Sequence, residues 1–447
     1  MKKILYTLLT LTILAGSSQA QRVLTLEECI ETALANNLDI KRARNNAIGA
    51  RASVLQSKMS FLPSINASAS HNWAEGLQFD NTSGTLVNAT TLGGGGGVSA
   101  GVTIFNGFSN ILGLKRDNYL YQASEENVKS NIQVTEANIV EAFLNVILTR
   151  ESLKIAEQRK ELLNDQLDRE EKRESAGVGN MEAVYNFRSQ VAQQELTIVN
   201  QRNQLETRKL TLIQLLFLDP ADQYEFEGVT MNDAELEGEI EAYSEIYDKS
   251  IEFSPSIKAA ELNLKASENS MKIAQNSWLP SISASARYGS NWTSNFRNQD
   301  GSVVDISQQL EQNVRKSAGL SLSIPIFNNF RVRTQMQRSK INMLNSELSL
   351  EQAKNTVTNS IQQAYLNLVN AQTSYAAAKE SLTNLNTSFE FAKNRYENGT
   401  IDFFTYLQSL NGKNRGEFEL VQAKNRILFR RLVLDILTGE LEMSASN

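Results

Sequence analysis

Two spacings of apolar residues alternate along this chain. Val128, Ile132, Thr135, Ile139, Ala142, Val146, Thr149, Leu153 and Ala156 recur at steps of four and three, which predicts a helix with a coiled-coil seam. Leu350, Lys354, Val357, Ile361, Ala364, Leu368, Ala371, Tyr375 and Ala378 follow the same steps. Phe143, Leu144, Ile147 and Leu148 lie beside the first seam, so that helix can touch a neighbour on each side. Elsewhere the period is two. Ile65, Ala67, Ala69, His71 and Trp73 alternate with Ser64, Asn66, Ser68, Ser70 and Asn72, and Ile282, Ala284, Ala286 and Tyr288 alternate with Ser281, Ser283, Ser285 and Arg287. Val98, Ala100, Val102 and Ile104, then Leu320, Leu322, Ile324 and Ile326, mark two returning strands. One face is apolar and the other small and hydroxylated, the pattern of a membrane β-barrel strand around a wet interior. A soluble β-sandwich hairpin would carry bulkier core residues. Trp73, Phe105, Tyr288, Trp292 and Phe327 stand near strand ends, where interfacial aromatics belong.

The whole pattern occurs twice. "FLPSINASAS" (61–70) returns as "WLPSISASAR" (278–287) at a spacing of 217 residues, and "EAFLN" (141–145) returns as "QAYLN" (363–367) at 222. The second spacing also pairs Arg173 with Arg395, Gly177 with Gly399, Glu195 with Glu417 and Asn203 with Asn425. Residues of about 98–217 and 320–439 therefore align without a gap, as two copies of one structural unit. The prolines are Pro63, Pro220, Pro255, Pro280 and Pro325; none interrupts 64–219 or follows 325, so long helices can run there. Residues 109–175 predict one helix of about 100 Å, and 331–397 its copy. Each ends at glycine, in "SAGVGNME" (175–182) and "YENGTIDF" (396–403), where Gly177 and Gly399 can take the left-handed cap conformation. Return helices follow over about 180–217 and 402–438. Opening helices over about 25–60 and 245–278 end at Pro63 and Pro280, the helix-to-strand points at the membrane. A return helix and an opening helix together match a long helix, so they are expected to stack end to end beside it. Residues 76–94, which run into the glycines at 93–97, and 291–314 read as long polar outer loops.

The N-terminus changes the setting. Lys2 and Lys3 precede an apolar run from Ile4 to Ala15, and Ser18, Gln19 and Ala20 supply small residues for cleavage. This predicts a signal peptide over 1–20 and a mature chain from Gln21; Cys29 is too far along for a lipoprotein. No later run approaches the roughly 18 apolar residues of a membrane-spanning helix. The expected division is a first repeat at 21–218, an acidic periplasmic linker at 219–244, a second repeat at 245–440 and a tail at 441–447. The linker region 219–247 carries ten acidic residues and no basic one, a solvated segment packed around the helices. Net charge is −6, so no nucleic-acid footprint is expected. With one Cys and one His, Cys29 and His71, neither a disulfide framework nor a Cys/His metal cluster can form. Both read as structural residues. No cofactor or metal is implied, and no catalytic set is found: His71 sits in a strand, and glycines 93–97 lack the lysine of a phosphate loop.

Four strands cannot close a barrel, and an open sheet edge is not tolerated in lipid. Chains must share one barrel. Two chains give eight strands, whose interior side chains fill; three give twelve and an aqueous lumen lined by serines, continued by the helices as an α-barrel. Over about 24–440 the chain resembles the TolC-like outer membrane efflux family. The resemblance rests on the duplicated unit, the "LPSI" helix-to-strand turn, "SIPIFNNF" at the strand exit and the tip "NRYENGTIDFFTYLQS". It implies a mainly α fold with a transmembrane β part: a homotrimer with a twelve-stranded β-barrel and a periplasmic α-helical barrel. It implies an outer membrane location and contact with outer membrane lipid. It also implies partnership with a periplasmic adaptor protein and an inner-membrane pump of the RND or ABC type, in efflux or type I secretion. Gly177, Val178, Gly179, Gly399, Thr400 and Ile401 are the expected adaptor-docking tips. Arg173, Glu182, Arg395, Tyr396 and Asp402 are the expected gate, with the arginines and Tyr396 bonding neighbouring hairpins through Glu182 or Asp402. Where the family often has Asp six residues after the tip glycine, this chain has Ala183 and Thr405, with Glu182 and Asp402 nearby. A secreted coiled-coil scaffold or adhesin without a pore is the alternative; it accounts for the signal and the seams but not for the serine-faced strands.

Overall fold

The computed structural model of the chain describes residues 22–80, 84–220, 224–228, 236–298 and 301–440. The expected signal peptide and the tail 441–447 lie outside them. The first copy runs β1 (Arg22–Leu24), α1 (Leu26–Asn36), α2 (Leu38–Met59), β2 (Ser64–Asp80), β3 (Thr85–Asn106), α3 (Ser109–Ser175) and α4 (Met181–Leu215). After β4 (Tyr224–Phe226) the second runs α5 (Tyr243–Phe253), α6 (Pro255–Asn276), β5 (Ser281–Thr293), α7 (Ile306–Gln312), β6 (Arg315–Ser323), α8 (Arg331–Glu397) and α9 (Phe403–Thr438). Among the described residues no helix is long and apolar enough to cross a membrane.

The opening helices are not continuous, and they break at matching places. Asn37 ends α1, and its Oδ1 accepts from the backbone N–H of Asp39 (2.8 Å) and Ile40 (3.1 Å) to start α2. Ser254 stands 217 residues later, and its Oγ accepts from Ile257 N at 3.5 Å. Pro255 follows at the first helical position, where its missing N–H leaves no helical bond unmade. A side-chain cap inside an apolar period leaves that period intact, so periodicity alone reads through it.

Strands β2, β3, β5 and β6 form one antiparallel sheet in that order. The hairpin β2–β3 is longer than expected, pairing from Ser64 with Gly101 to Asp80 with Thr85. Glycines 93–97 thus lie inside β3, not in a loop. There β3 runs between two close neighbours: a Cβ on Gly95 would lie 2.7 Å from the Ser290 carbonyl oxygen, and one on Gly97 2.8 Å from that of Tyr288. The expected loop at 291–314 is partly ordered too, holding the end of β5 and α7. Strand β6 stops at Ser323, two residues before Pro325, which has no N–H for a ladder. Each strand exit turns through two consecutive left-handed residues, Gly107 and Phe108 (φ 63° and 64°), then Asn329 and Phe330 (φ 51° and 59°). An edge-on ring contact spans each turn, Phe105 with Phe108 and Phe327 with Phe330.

Contacts divide the chain into two compact units, and each draws on both copies: 1–44, 127–257 and 353–447 form one, and 45–126 with 258–352 the other. Duplicated units are therefore not separate domains, because a single seam cannot bury itself. In the first unit Ile139, Phe143, Val146 and Ile147 pack with Cys29 and Ile30 of α1, Leu212 of α4 and Phe226 of β4. The second seam packs Ile361, Leu368 and Tyr375 with Ile246, Ile427 and Leu236. Cys29 is buried and free, and burial pushes its thiol up to about 12. The described parts of the acidic segment hold short anchors. Strand β4 pairs in parallel with β1, Glu225 bonds Lys209 (2.7 Å) and Glu237 bonds Lys379 (2.7 Å).

Two predictions follow from this packing. Gly439 caps α9 at φ 77°, and a Cβ there would lie 2.5 Å from the Phe253 ring. Gly439→Ala is expected to cost about 1–3 kcal/mol, read as a lower Tm in detergent. Glu136 is buried, and desolvation pushes its carboxyl from an ordinary 4.5 up to about 7. The folded state thus holds the proton more tightly than the unfolded one, and stability falls as pH rises from about 4.5 to 7. Glu136→Gln is expected to be more stable than wild type by about 1–2 kcal/mol at pH 8, with the gap closing near pH 4.5. Thermal denaturation at both pH values checks this.

Candidate functional site

The two helix-to-helix turns are built alike from their backbone. Gly177 N–H donates to the Glu174 carbonyl (2.9 Å) and Val178 N–H to that of Arg173 (3.0 Å); Gly399 donates to Tyr396 (2.9 Å) and Thr400 to Arg395 (2.8 Å). This double closure is a Schellman motif, and it places Gly177 and Gly399 at its left-handed residue, φ 76° and 67°. Gly179 is required for closeness: a Cβ there would meet Glu174 N at 2.3 Å. Val178 and Thr400 stand exposed, while Ile401 is half-buried against the core behind the turn. The matching pair Arg173 and Arg395 supplies carbonyls to the turns.

The returning helices begin on side-chain caps. Asn180 Oδ1 accepts from Glu182 N (2.9 Å) and Asp402 Oδ1 from Thr405 N (2.8 Å). Hydrogen bonds from Thr405 hold the Asp402 carboxyl below the usual carboxylate range. Glu182 occupies the exposed first turn of α4, where a negative charge suits the helix dipole.

Behind the turns lies an aromatic cluster. Phe187 meets Phe403 edge-on at 4.5 Å, and Tyr396 stacks on Tyr406 at 4.8 Å. Leu163, Phe389 and Leu410 complete the packing. One carboxylate is buried here, Glu170 of α3, at 4% exposure. Arg173 Nη1 reaches it at 3.3 Å, and the Tyr396 hydroxyl donates to it. Burial and that carboxylate together push the Tyr396 phenol up, and burial pushes Tyr406 up to about 12. Tyr406 is fully buried, and its hydroxyl has no protein partner among the described residues. Ion pairs tie the hairpins: Arg169 to Glu397 (2.8 Å) and Arg188 to Glu171 (2.8 Å).

Within one chain, then, Arg173 and Tyr396 converge on Glu170 and not on Glu182 or Asp402. Arg395 lies exposed. Glu170, Tyr406 and Phe187 escaped the sequence reading because they have no matching residue in the other copy: the counterparts at 222 residues are Ala392, Val184 and Ser409. A search for residues that differ between the copies inside one tip would have found them. Pro63 and Pro280 each stand immediately before a strand, β2 and β5. Among the described residues no cluster of side chains able to hold a metal ion exists.

The fold recurs in known proteins. The chain is 22% identical to the outer membrane protein TolC of Escherichia coli (strain K12) over 446 residues, 99% of this chain and 87% of that protein. Among solved structures it is similar to VceC of Vibrio cholerae, with a TM-score of 0.78 at 16% identity, covering 93% of this chain and 96% of that one. The CmeC channel of Campylobacter jejuni gives 0.77 at 16% identity, covering 94% and 87%. At such identities the likeness establishes the fold. Residues 29–216 and 246–440, one segment from each copy, match the outer membrane efflux protein family, an efflux channel family of tripartite systems and not an enzyme family. The chain belongs to the outer membrane efflux protein family.

Proposed function

We propose that three copies of this chain close a twelve-stranded barrel in the outer membrane and serve as a passive exit duct, with a large periplasmic part. The observation that carries this reading is the sheet. Its edge strands β2 and β6 each have one unpaired side, and its apolar face is bare, with Ile65, Trp73, Leu77, Leu320 and Leu322 all more than half exposed. An open edge beside lipid leaves backbone donors and acceptors without partners, at several kcal/mol each. Pairing β6 of one copy with β2 of the next removes every edge when the ring closes. Twelve strands then leave room for water along the serine face. Substrate movement is driven elsewhere, by an inner-membrane pump of the RND or ABC type acting through a periplasmic adaptor, in efflux or type I secretion. Copurification of a detergent-dependent trimer that dissociates on heating is the expected result. A monomer in mild detergent that carries no ion current would overturn the reading.

The tips are the proposed adaptor contact and closable end. Gly177, Val178, Gly179, Gly399, Thr400 and Ile401 form turns whose rigid backbone presents exposed Val178, Met181 and Phe404, apolar surface suited to a helical partner. Glu182 and Asp402 are the proposed charges at the constriction, and Arg173, Arg395 and Tyr396 steady the hairpins around it. Glu182→Gln with Asp402→Asn removes both charges and keeps an oxygen cap at 402. Planar-bilayer recordings are expected to show weaker divalent-cation block for this variant; unchanged block and conductance would remove both residues from the gate.

A further inference from the structure

Among the described side chains, the polar face of the sheet carries its charge on one hairpin only. By register, Arg287 of β5 stands opposite Ser99 of β3 and Ser317 of β6, and Arg315 of β6 stands opposite Gly289. The two arginines are diagonal neighbours on one face, a separation of about 7–8 Å between such positions. Both line a depression of ≈ 330 Å³ whose floor is Gly95 and Gly97 and whose far wall is Ser68 and Ser70. The glycine floor offers no side chain for the guanidinium groups to fold against. Both arginines are exposed, and neither has an ion-pair partner among the described residues. No carboxylate is found among the described side chains of this face; Glu75 and Lys316 stand on the apolar one. In the first copy the matching positions are Ser70, at the 217 spacing, and Gly93, at the 222 spacing.

We propose that Arg287 and Arg315 make the strand-built section of the channel select for anions, favouring solutes that carry carboxylate or phosphate groups. The proposal rests on the three-chain channel reading above, in which two guanidinium groups per chain become six around one lumen. A narrow aqueous passage with low-dielectric walls focuses their field and enriches anions there. Guanidinium also offers a planar fork that fits the two oxygens of a carboxylate or phosphate. The serines and bare backbone around it add hydrogen-bonding partners without a competing charge.

The test is the reversal potential of the full-length trimer in phosphatidylcholine planar bilayers under a potassium chloride gradient. R287Q/R315Q is expected to lower the anion-to-cation permeability ratio about threefold or more, and each single variant to give a smaller shift in the same direction. R287K/R315K keeps the charge and is expected to stay near the wild-type ratio. With potassium glutamate or phosphate in place of chloride, the wild type is expected to keep more of its current than R287Q/R315Q. Conducting trimers whose permeability ratio is the same for wild type and R287Q/R315Q overturn the arginine proposal and leave the channel reading standing. Absence of ion current from all of these proteins overturns the channel reading, and the arginine proposal with it.

Discussion

A strand edge in hydrocarbon has no water to bond with, and the four-stranded sheet of this chain has two edges, β2 and β6, to satisfy if it is to stand in a membrane. Much of the remaining architecture can be read as an answer to that constraint. A helix satisfies its own backbone, so the long helices α3 and α8 need only lateral packing along their seams. The sheet leaves one side of β2 and of β6 unpaired within the chain, which is why a closed ring of copies is the proposed solution. Its exposed apolar face would be a liability in water, whereas in lipid it is the correct solvent contact. Cores inside one chain, around Phe143 and Phe226 or around Ile361 and Tyr375, stabilise the helices. In the proposed trimer, pairing between chains would make the pore.

Duplication supplies geometry, and departures from it supply chemistry. The αL turns at Gly107–Phe108 and Asn329–Phe330, the Schellman closures at Gly177 and Gly399 and the helix breaks at Asn37 and Ser254 repeat at fixed spacings. The turns and closures are backbone devices, and the helix breaks are made by short side-chain caps. Some side chains carrying charge or aromatic bulk do not repeat. Glu170 faces Arg173 and Tyr396 at one tip, while its counterpart is Ala392. A wall made from two-copy subunits can therefore keep a nearly uniform backbone while differing on alternate hairpins.

The fold was legible in sequence where a residue's effect is local. Proline and glycine locate the ends of helices because each restricts or frees a single φ, and period-two serine patterns locate strands because side chains alternate across a pleat. What escaped reading depends on partners distant in the chain. The strand β4 exists because β1 lies beside it, and neither three-residue segment shows a period. Glycines 93–97 look like a flexible loop by composition, and only the closeness of β2 and β5 explains why they lie in a strand. At the tip, the turn residues were legible and the buried acid was not. Asp402 reads as a charge near a constriction, yet its oxygen is also the cap that starts α9, so its identity follows from helix formation whatever the channel requires.

The glycine run and the arginines are two sides of one arrangement. In an ordinary strand, cross-strand neighbours of Arg287 and Arg315 would be long enough to cover the guanidinium groups or to pair with them. Here β3 beside Arg287 offers glycine at 93, 95 and 97 on that face and serine at 99, and the β5 residue opposite Arg315 is Gly289. Bulk is excluded at 95 and 97 by the approach of the β5 backbone, so the bare floor is a consequence of strand packing, not of selection for charge. Two positively charged side chains placed beside such a floor remain solvated and unpaired without further adjustment of the fold. Charge at these two positions can thus change at little structural cost, because both side chains are exposed. In the proposed duct, selectivity would then be set by a few lumen residues, while the edge pairing proposed to hold the barrel together stays the same.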